Sequence, residues 1–162
     1  MKYLLYSTVA AALVASCLIT LAQANNTLPF SLHVTALDES VKAGAPVRLE
    51  VSTTNISQSA LTLSKSNPGM EYEFIVLSEN GKPVTESAAL KRMKDRRRPI
   101  VIYRLSNEVL NSGESTRETV VITDYYDLSQ PGEYSIQVER QVPEQYGRGI
   151  VKSNTVKVTI TP

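Results

Sequence analysis

Apolar positions in this chain repeat every second residue. Phe30, Leu32, Val34 and Ala36 alternate with Ser31, His33 and Thr35. Val47, Leu49 and Val51 alternate with Arg48, Glu50 and Ser52, and Leu61 and Leu63 with Thr62 and Ser64. Tyr72, Phe74 and Val76 form a further apolar face, and Thr116–Thr123 reads as another strand. Ile100–Tyr103 is apolar on both faces. Tyr134, Ile136 and Val138, then Val156, Val158 and Ile160, close the series. Such alternation buries one face of a strand and wets the other, as antiparallel sheets require.

Turn chemistry falls between the runs. Ala43-Gly44-Ala45-Pro46, Asn111-Ser112-Gly113-Glu114 and Gln130-Pro131-Gly132-Glu133 each break the chain before a strand. Glu79-Asn80-Gly81-Lys82 predicts a tight hairpin with positive φ at both central residues. The spacing predicts an all-β chain, an antiparallel two-sheet β-sandwich of about seven to eight strands. Ala88 to Lys94 is the one helix-compatible stretch, expected as a turn or a single helical turn.

Residues 1–24 form a leader. Lys2 supplies its charge, Tyr3–Leu21 is uncharged, and Ala22-Gln23-Ala24 fits signal-peptidase cleavage before Asn25. The expected domains are a signal peptide over 1–24 and one sandwich over 25–162, secreted or periplasmic. An alternative uses Val14-Ala15-Ser16-Cys17, which resembles a bacterial lipobox. The protein would then be a lipoprotein anchored at Cys17, and only then would it meet a membrane. Retention of the run as a membrane helix is less favoured, because no charge cluster follows it.

Composition narrows the function. Seventeen basic residues face sixteen acidic ones, so a globally basic nucleic-acid binder is disfavoured. One His and one Cys exclude a Cys/His zinc site and a disulfide framework. Asp38, Glu39, Asp124 and Asp127 offer carboxylates but no dense ligand loop, so no metal or other cofactor is expected. No nucleophile elbow, phosphate loop or dinucleotide fingerprint occurs, so the chain is not expected to be an enzyme.

Two stretches carry a resemblance. Val47–Ser57 followed by Leu61-Thr62-Leu63 resembles the strand–Asn–strand opening of bacterial Ig-like domains, including those similar to the intracellular proteinase inhibitor family. Tyr126–Val138, with Lys152–Val156, resembles a group of exported bacterial Ig-like proteins of unknown function. The resemblance implies an Ig-like sandwich over roughly residues 30–162. The residues themselves give the second motif structural roles. Asp127 can bond turn amides, Pro131 and Gly132 turn the chain, and Tyr134 fits a tyrosine corner.

Three places could carry recognition. Six of the eight residues from 91 to 98 are basic, which concentrates positive charge in a balanced chain. Lys91, Arg92, Lys94, Arg96, Arg97 and Arg98, with Arg104, would form an anion or partner patch. The same run also reads as a solvated loop or a guard on a strand edge. Tyr125 and Tyr126 should point to opposite faces of a strand, leaving one exposed for stacking. Tyr146 and Arg148 lie in the loop Gln141–Gly149, a hairpin tip of the kind that carries recognition in sandwiches.

The expected function is a non-catalytic binding module of the bacterial cell envelope. Its partner would be a protein or an anionic glycan of the envelope, not a nucleic acid. One alternative is a proteinase inhibitor using an exposed loop. Another is a structural accessory protein that binds by strand addition along Thr155–Thr161.

Overall fold

Most of the alternation read above becomes strand, although Tyr72 caps a helix and Ile122 and Thr123 enter a 3-10 turn. The computed structural model describes residues 28–95 and 106–162. The leader with Cys17, the Ile100–Tyr103 run and Arg96, Arg97, Arg98 and Arg104 lie outside them.

β1 (Phe30–Ala36), β3 (Arg48–Asn55) and β7 (Ser115–Val121) form one sheet in the order β1-β3-β7. β2 (Ser40–Lys42), β5 (Glu73–Ser78), β8 (Gly132–Gln141) and β9 (Ile150–Thr161) form the other, ordered β2-β9-β8-β5. β4 (Leu61–Lys65) pairs with β6 (Ser106–Leu110) as a two-stranded ladder. This is an Ig-like β-sandwich with nine strands among the described residues. All pairs are antiparallel except β2 with β9. Phe30, Val34, Leu49 and Val51 from the first sheet meet Ile136, Val138 and Val158 from the second in one core. Two inward faces of this kind are what holds a sandwich together.

A bulge joins the two sheets at their seam. Gln137 opposes Thr155 while Glu139 opposes Lys152, so β9 carries an extra residue at Ser153–Asn154. The Ser153 hydroxyl accepts the Val138 N–H at 2.9 Å. Asn154 is turned toward β1, where its amide accepts from Val34 N and donates to Val34 O, both at 2.9 Å. A side-chain amide thus does for β1 what a neighbouring strand would do.

Several expectations are corrected. Ala88–Lys94 is a full helix, α2. The Ser87 hydroxyl caps it by accepting from Leu90 N, and Leu90 is buried. A shorter helix, α1 (Pro68–Glu71), follows Asn67, whose side chain accepts from Gly69 N. The hairpin after β5 has positive φ at Gly81 only, and no described non-glycine residue has positive φ. The Ser78 hydroxyl and N–H instead close on Lys82 O. Nor is Thr155–Thr161 a free edge. β8 pairs along one side of it, and β2 covers Thr159–Thr161 on the other.

Candidate functional site

Strand ends divide the sandwich into two poles. At one pole β1 starts, β3 ends, β6 turns into β7 and β8 turns into β9. The three loops of this loop end are residues 56–60, 111–114 and 142–149. At the other pole lie the turns 43–46, 79–82 and 122–131.

Asn55 organises the loop end. It is fully buried at the end of β3. Its Nδ2 donates to Ser59 O and Leu110 O, and its Oδ1 accepts from the N–H and the hydroxyl of Ser57. Its backbone exchanges bonds with Glu114 O and Gly113 N. Ser112 Oγ donates to Ser57 O, and Glu114 accepts from Asn111. Two loops are therefore fixed through one side chain, which satisfies buried backbone groups that no strand reaches.

The third loop is fixed through Tyr146. The Thr62 N–H donates to the Tyr146 hydroxyl at 2.7 Å, and this bond holds the phenol below its ordinary pKa. Val142 is buried, and its N–H meets Gly149 O at 3.0 Å to close the loop. Arg148 is exposed between Gly147 (φ 120°) and Gly149 (φ 151°). A side chain at Gly149 would also lie 3.2 Å from Leu28 Cδ2. Both glycines are therefore favoured by conformation, and a side chain at the second would also have to push Leu28 aside slightly.

Exposed apolar side chains lie at the same pole as this Arg. Leu28 is 38% exposed, Ile56 57% and Ile150 50%. Ile56 N bonds Pro29 O, Leu28 reaches Gly149, and Ile150 is the next residue, so three separate segments bring them to one pole.

Beneath this pole lies a buried ion pair. Arg140 and Glu71 side chains are only 6% and 4% exposed, with Arg140 Nη2 3.4 Å from Glu71 Oε2. Arg140 also donates to Ser64 O at 2.7 Å and stands over the Tyr72 ring. Ser66 N–H donates to Glu71 Oε1. Burial raises the Glu71 pKa against the opposing pull of Ser66 and Arg140. Lys65 adds contacts to Glu118 at 3.2 Å and Glu108 at 3.7 Å. The network ties β4, α1, β6, β7 and β8 together. Arg140 was legible in principle, since it continues the inward parity of Tyr134, Ile136 and Val138.

The described residues singled out in the sequence fall at different places in the fold. Lys91, Arg92 and Lys94 lie on α2, which Ser87 tethers to Asp124 O and Tyr125 O near the turn end. Lys94 is neutralised by Glu86 at 2.6 Å, while Lys91 and Arg92 are exposed. Tyr125 is not available for stacking on a ligand, because both adjacent tyrosines are buried. The chain there follows a 3-10 turn (Ile122–Asp124) rather than a strand, which removes the alternation. Tyr125 stacks on Phe74, bonds Asn67 and packs against Gly69. The Tyr126 hydroxyl donates to Phe74 O at 2.6 Å, and burial pushes it up to about 12.

The turn motif of the second resemblance has direct geometry. Asp127 accepts from Ser129 N, and the Ser129 side chain and then its backbone N–H hold the carboxyl low. Tyr134 donates to Gln130 O at 2.8 Å across Pro131 and Gly132. Among the described residues no three Asp, Glu, His or Cys side chains converge as metal ligands. No helix among them is long and apolar enough to cross a membrane.

No family model matches the chain, and no curated protein matches it. Among solved structures it is similar to the CARDB domain of a Pyrococcus furiosus protein, solved with di-metal ions. That match has 12% identity and a TM-score of 0.44, and covers 81% of this chain and 91% of that one. A β-glucosidase from Listeria innocua with gluconolactone matches at 14% identity and TM-score 0.44, covering 84% of this chain and 16% of the enzyme. The DNA glycosylase AlkC from Pseudomonas fluorescens matches at 8% identity and TM-score 0.43, covering 83% and 31%. At TM-scores below 0.5 these likenesses carry no argument about what the chain binds or does.

Proposed function

We propose that the chain is a non-catalytic binding module of the bacterial cell envelope that recognises its partner with the loop end. One observation carries the reading. Leu28, Ile56 and Ile150 are all exposed on a pole whose backbone is held by Asn55 and Tyr146. Apolar side chains on a fixed backbone lose little entropy on binding and bury area when covered. The leader supports the envelope location. Recognition by α2 becomes secondary, since Lys91 and Arg92 are its unneutralised cations among the described residues.

The test is affinity capture from envelope extract with three baits. These are the wild type, Leu28→Ser with Ile150→Ser, and Lys91→Ser with Arg92→Ser. A partner retained by the wild type and the α2 variant but lost by the loop variant is the expected result. Loss with the α2 variant alone would move recognition to the basic helix.

A second reading has its own observation. The Gly147-Arg148-Gly149 tip presents one Arg on a hairpin that Tyr146 and Val142 hold shut. Inhibition of a trypsin-like proteinase would use such an Arg as the side chain that enters the specificity pocket. Stoichiometric loss of trypsin activity, with the Arg148–Gly149 bond intact, would support it. Rapid cleavage after Arg148 would remove it.

A further inference from the structure

We infer that the loop end takes a segment of a partner protein in which one carboxylate is flanked by apolar side chains. This rests on the reading of the loop end as the recognition surface, and it names the chemistry of the partner.

The cation comes first. Arg148 is exposed and makes no ion pair or hydrogen bond among the described residues. Three exposed cations on the strands are paired, although Lys42 on β2 makes no ion pair among the described residues. Arg48 meets Asp38 at 2.8 Å, Lys152 meets Glu139 at 2.7 Å, and Lys157 meets Glu133 at 2.7 Å. A planar guanidinium is best matched by a planar acceptor that takes two parallel N–H bonds, and among protein side chains that is a carboxylate.

The surroundings come second. Leu28 reaches Gly149, the residue after Arg148, and Ile150 follows. Ile56 is joined to the same corner through Pro29. A partner that supplies only charge leaves these aliphatics wet. One that supplies only apolar area strips water from Arg148 without replacing it. A carboxylate between apolar side chains satisfies both requirements, and the apolar ring keeps water from the ion pair.

Charge at this pole argues against a bilayer. Glu144 is exposed beside Arg148, and Glu114 lies in the neighbouring loop. Anionic lipid surfaces attract clusters of Lys and Arg, and this pole has no such cluster among its described residues.

The test pans a phage library of random twelve-residue peptides against the protein recovered after export from a bacterial host. The expected result is enrichment of peptides with Asp or Glu between aliphatic or aromatic residues. Retention should fall at least tenfold on Arg148→Glu and on Leu28→Ser with Ile150→Ser. Panned afresh, Arg148→Glu should select Lys or Arg at the former acidic position. All three substituted positions are exposed, and melting temperatures within a few degrees of the wild type would confirm that the variants fold.

Peptides without an acidic position, indifferent to Arg148→Glu yet lost on Leu28→Ser with Ile150→Ser, would overturn the inferred chemistry and leave the loop end as the surface. Retention unchanged by either variant would overturn both. Absence of enrichment would overturn the inference, as would absence combined with flotation on 3:1 phosphatidylcholine–phosphatidylglycerol vesicles that needs Leu28 and Ile150.

Discussion

The two poles of this sandwich use similar bonding and reach opposite surfaces. At the turn end, Tyr134, Tyr126 and Tyr125 each place a hydroxyl on a polar group while their rings enter the core. At the loop end, Asn55 holds the backbone with a short side chain that fills little volume. The aromatic pole therefore buries its tyrosine rings and leaves Leu37 outside, whereas the asparagine pole leaves three large aliphatics outside, Leu28, Ile56 and Ile150. Rigid backbone and covered surface are separate properties, and the loop end is the less covered of the two. An end that is held but not covered is suited to contact.

The sharpest way to break that contrast is to remove what supports the loop end from below. Arg140→Met leaves Glu71 charged and buried without its partner. It is expected to cost about 3–5 kcal/mol in urea unfolding. Arg140→Met combined with Glu71→Leu should recover most of the loss, because the native pair is incompletely satisfied. Arg140 Nη1 and Glu71 Oε2 have no hydrogen bond among the described residues. A double variant as unstable as the single one would show that the network does more than neutralise itself.

A smaller effect should separate the poles. Asn55→Ala leaves the buried Leu110 carbonyl unpaired and is expected to cost about 2–3 kcal/mol. Hydrogen exchange should quicken at 56–60 and 111–114 and stay unchanged at 122–131. Tyr134→Phe should cost about 1 kcal/mol and quicken exchange only at the turn end. Faster exchange at both poles in either variant would mean the poles are not independent.

The smallest expected effect is in pH dependence. Burial raises the folded pKa of Glu71 above the ordinary value of 4.5, so the fold holds this proton more tightly than the unfolded chain does. Its contribution favours folding below that value and is lost as pH rises through the folded pKa. Glu71→Gln removes that dependence. The gap in melting temperature between wild type and variant should thus shift in the variant's favour as pH rises from acid toward neutral. A gap that does not change with pH would place the Glu71 proton elsewhere.

Much of the fold was legible because period-two alternation maps directly onto strand faces. The apolar inward positions of β1, β3, β4 and β8 were named from that period alone, whereas buried Thr53, Asn55 and Arg140 were not. Helix α1 was not anticipated, since four residues are too few to show a period. Its signal is the cap Asn67-Pro68, with Gly69 admitting the Tyr125 ring. Helix α2 was underestimated because its Ser87 cap went unweighed. The site was less legible than the fold. Arg148 and Tyr146 stood in an obvious hairpin tip, but Leu28, Ile56 and Ile150 are scattered singly in the chain. Scattered aliphatics carry no pattern until three segments converge.

Alternation and turn residues settled the class of fold and the placement of most strands, because these depend on near neighbours in the chain. Folding alone decided that Asn55 and Asn154 serve as pieces of backbone, that Tyr125 is core, and that the basic helix and the Arg148 loop lie at opposite poles. Each depends on which distant backbone groups lack a partner, and that becomes defined only when the sheets pack.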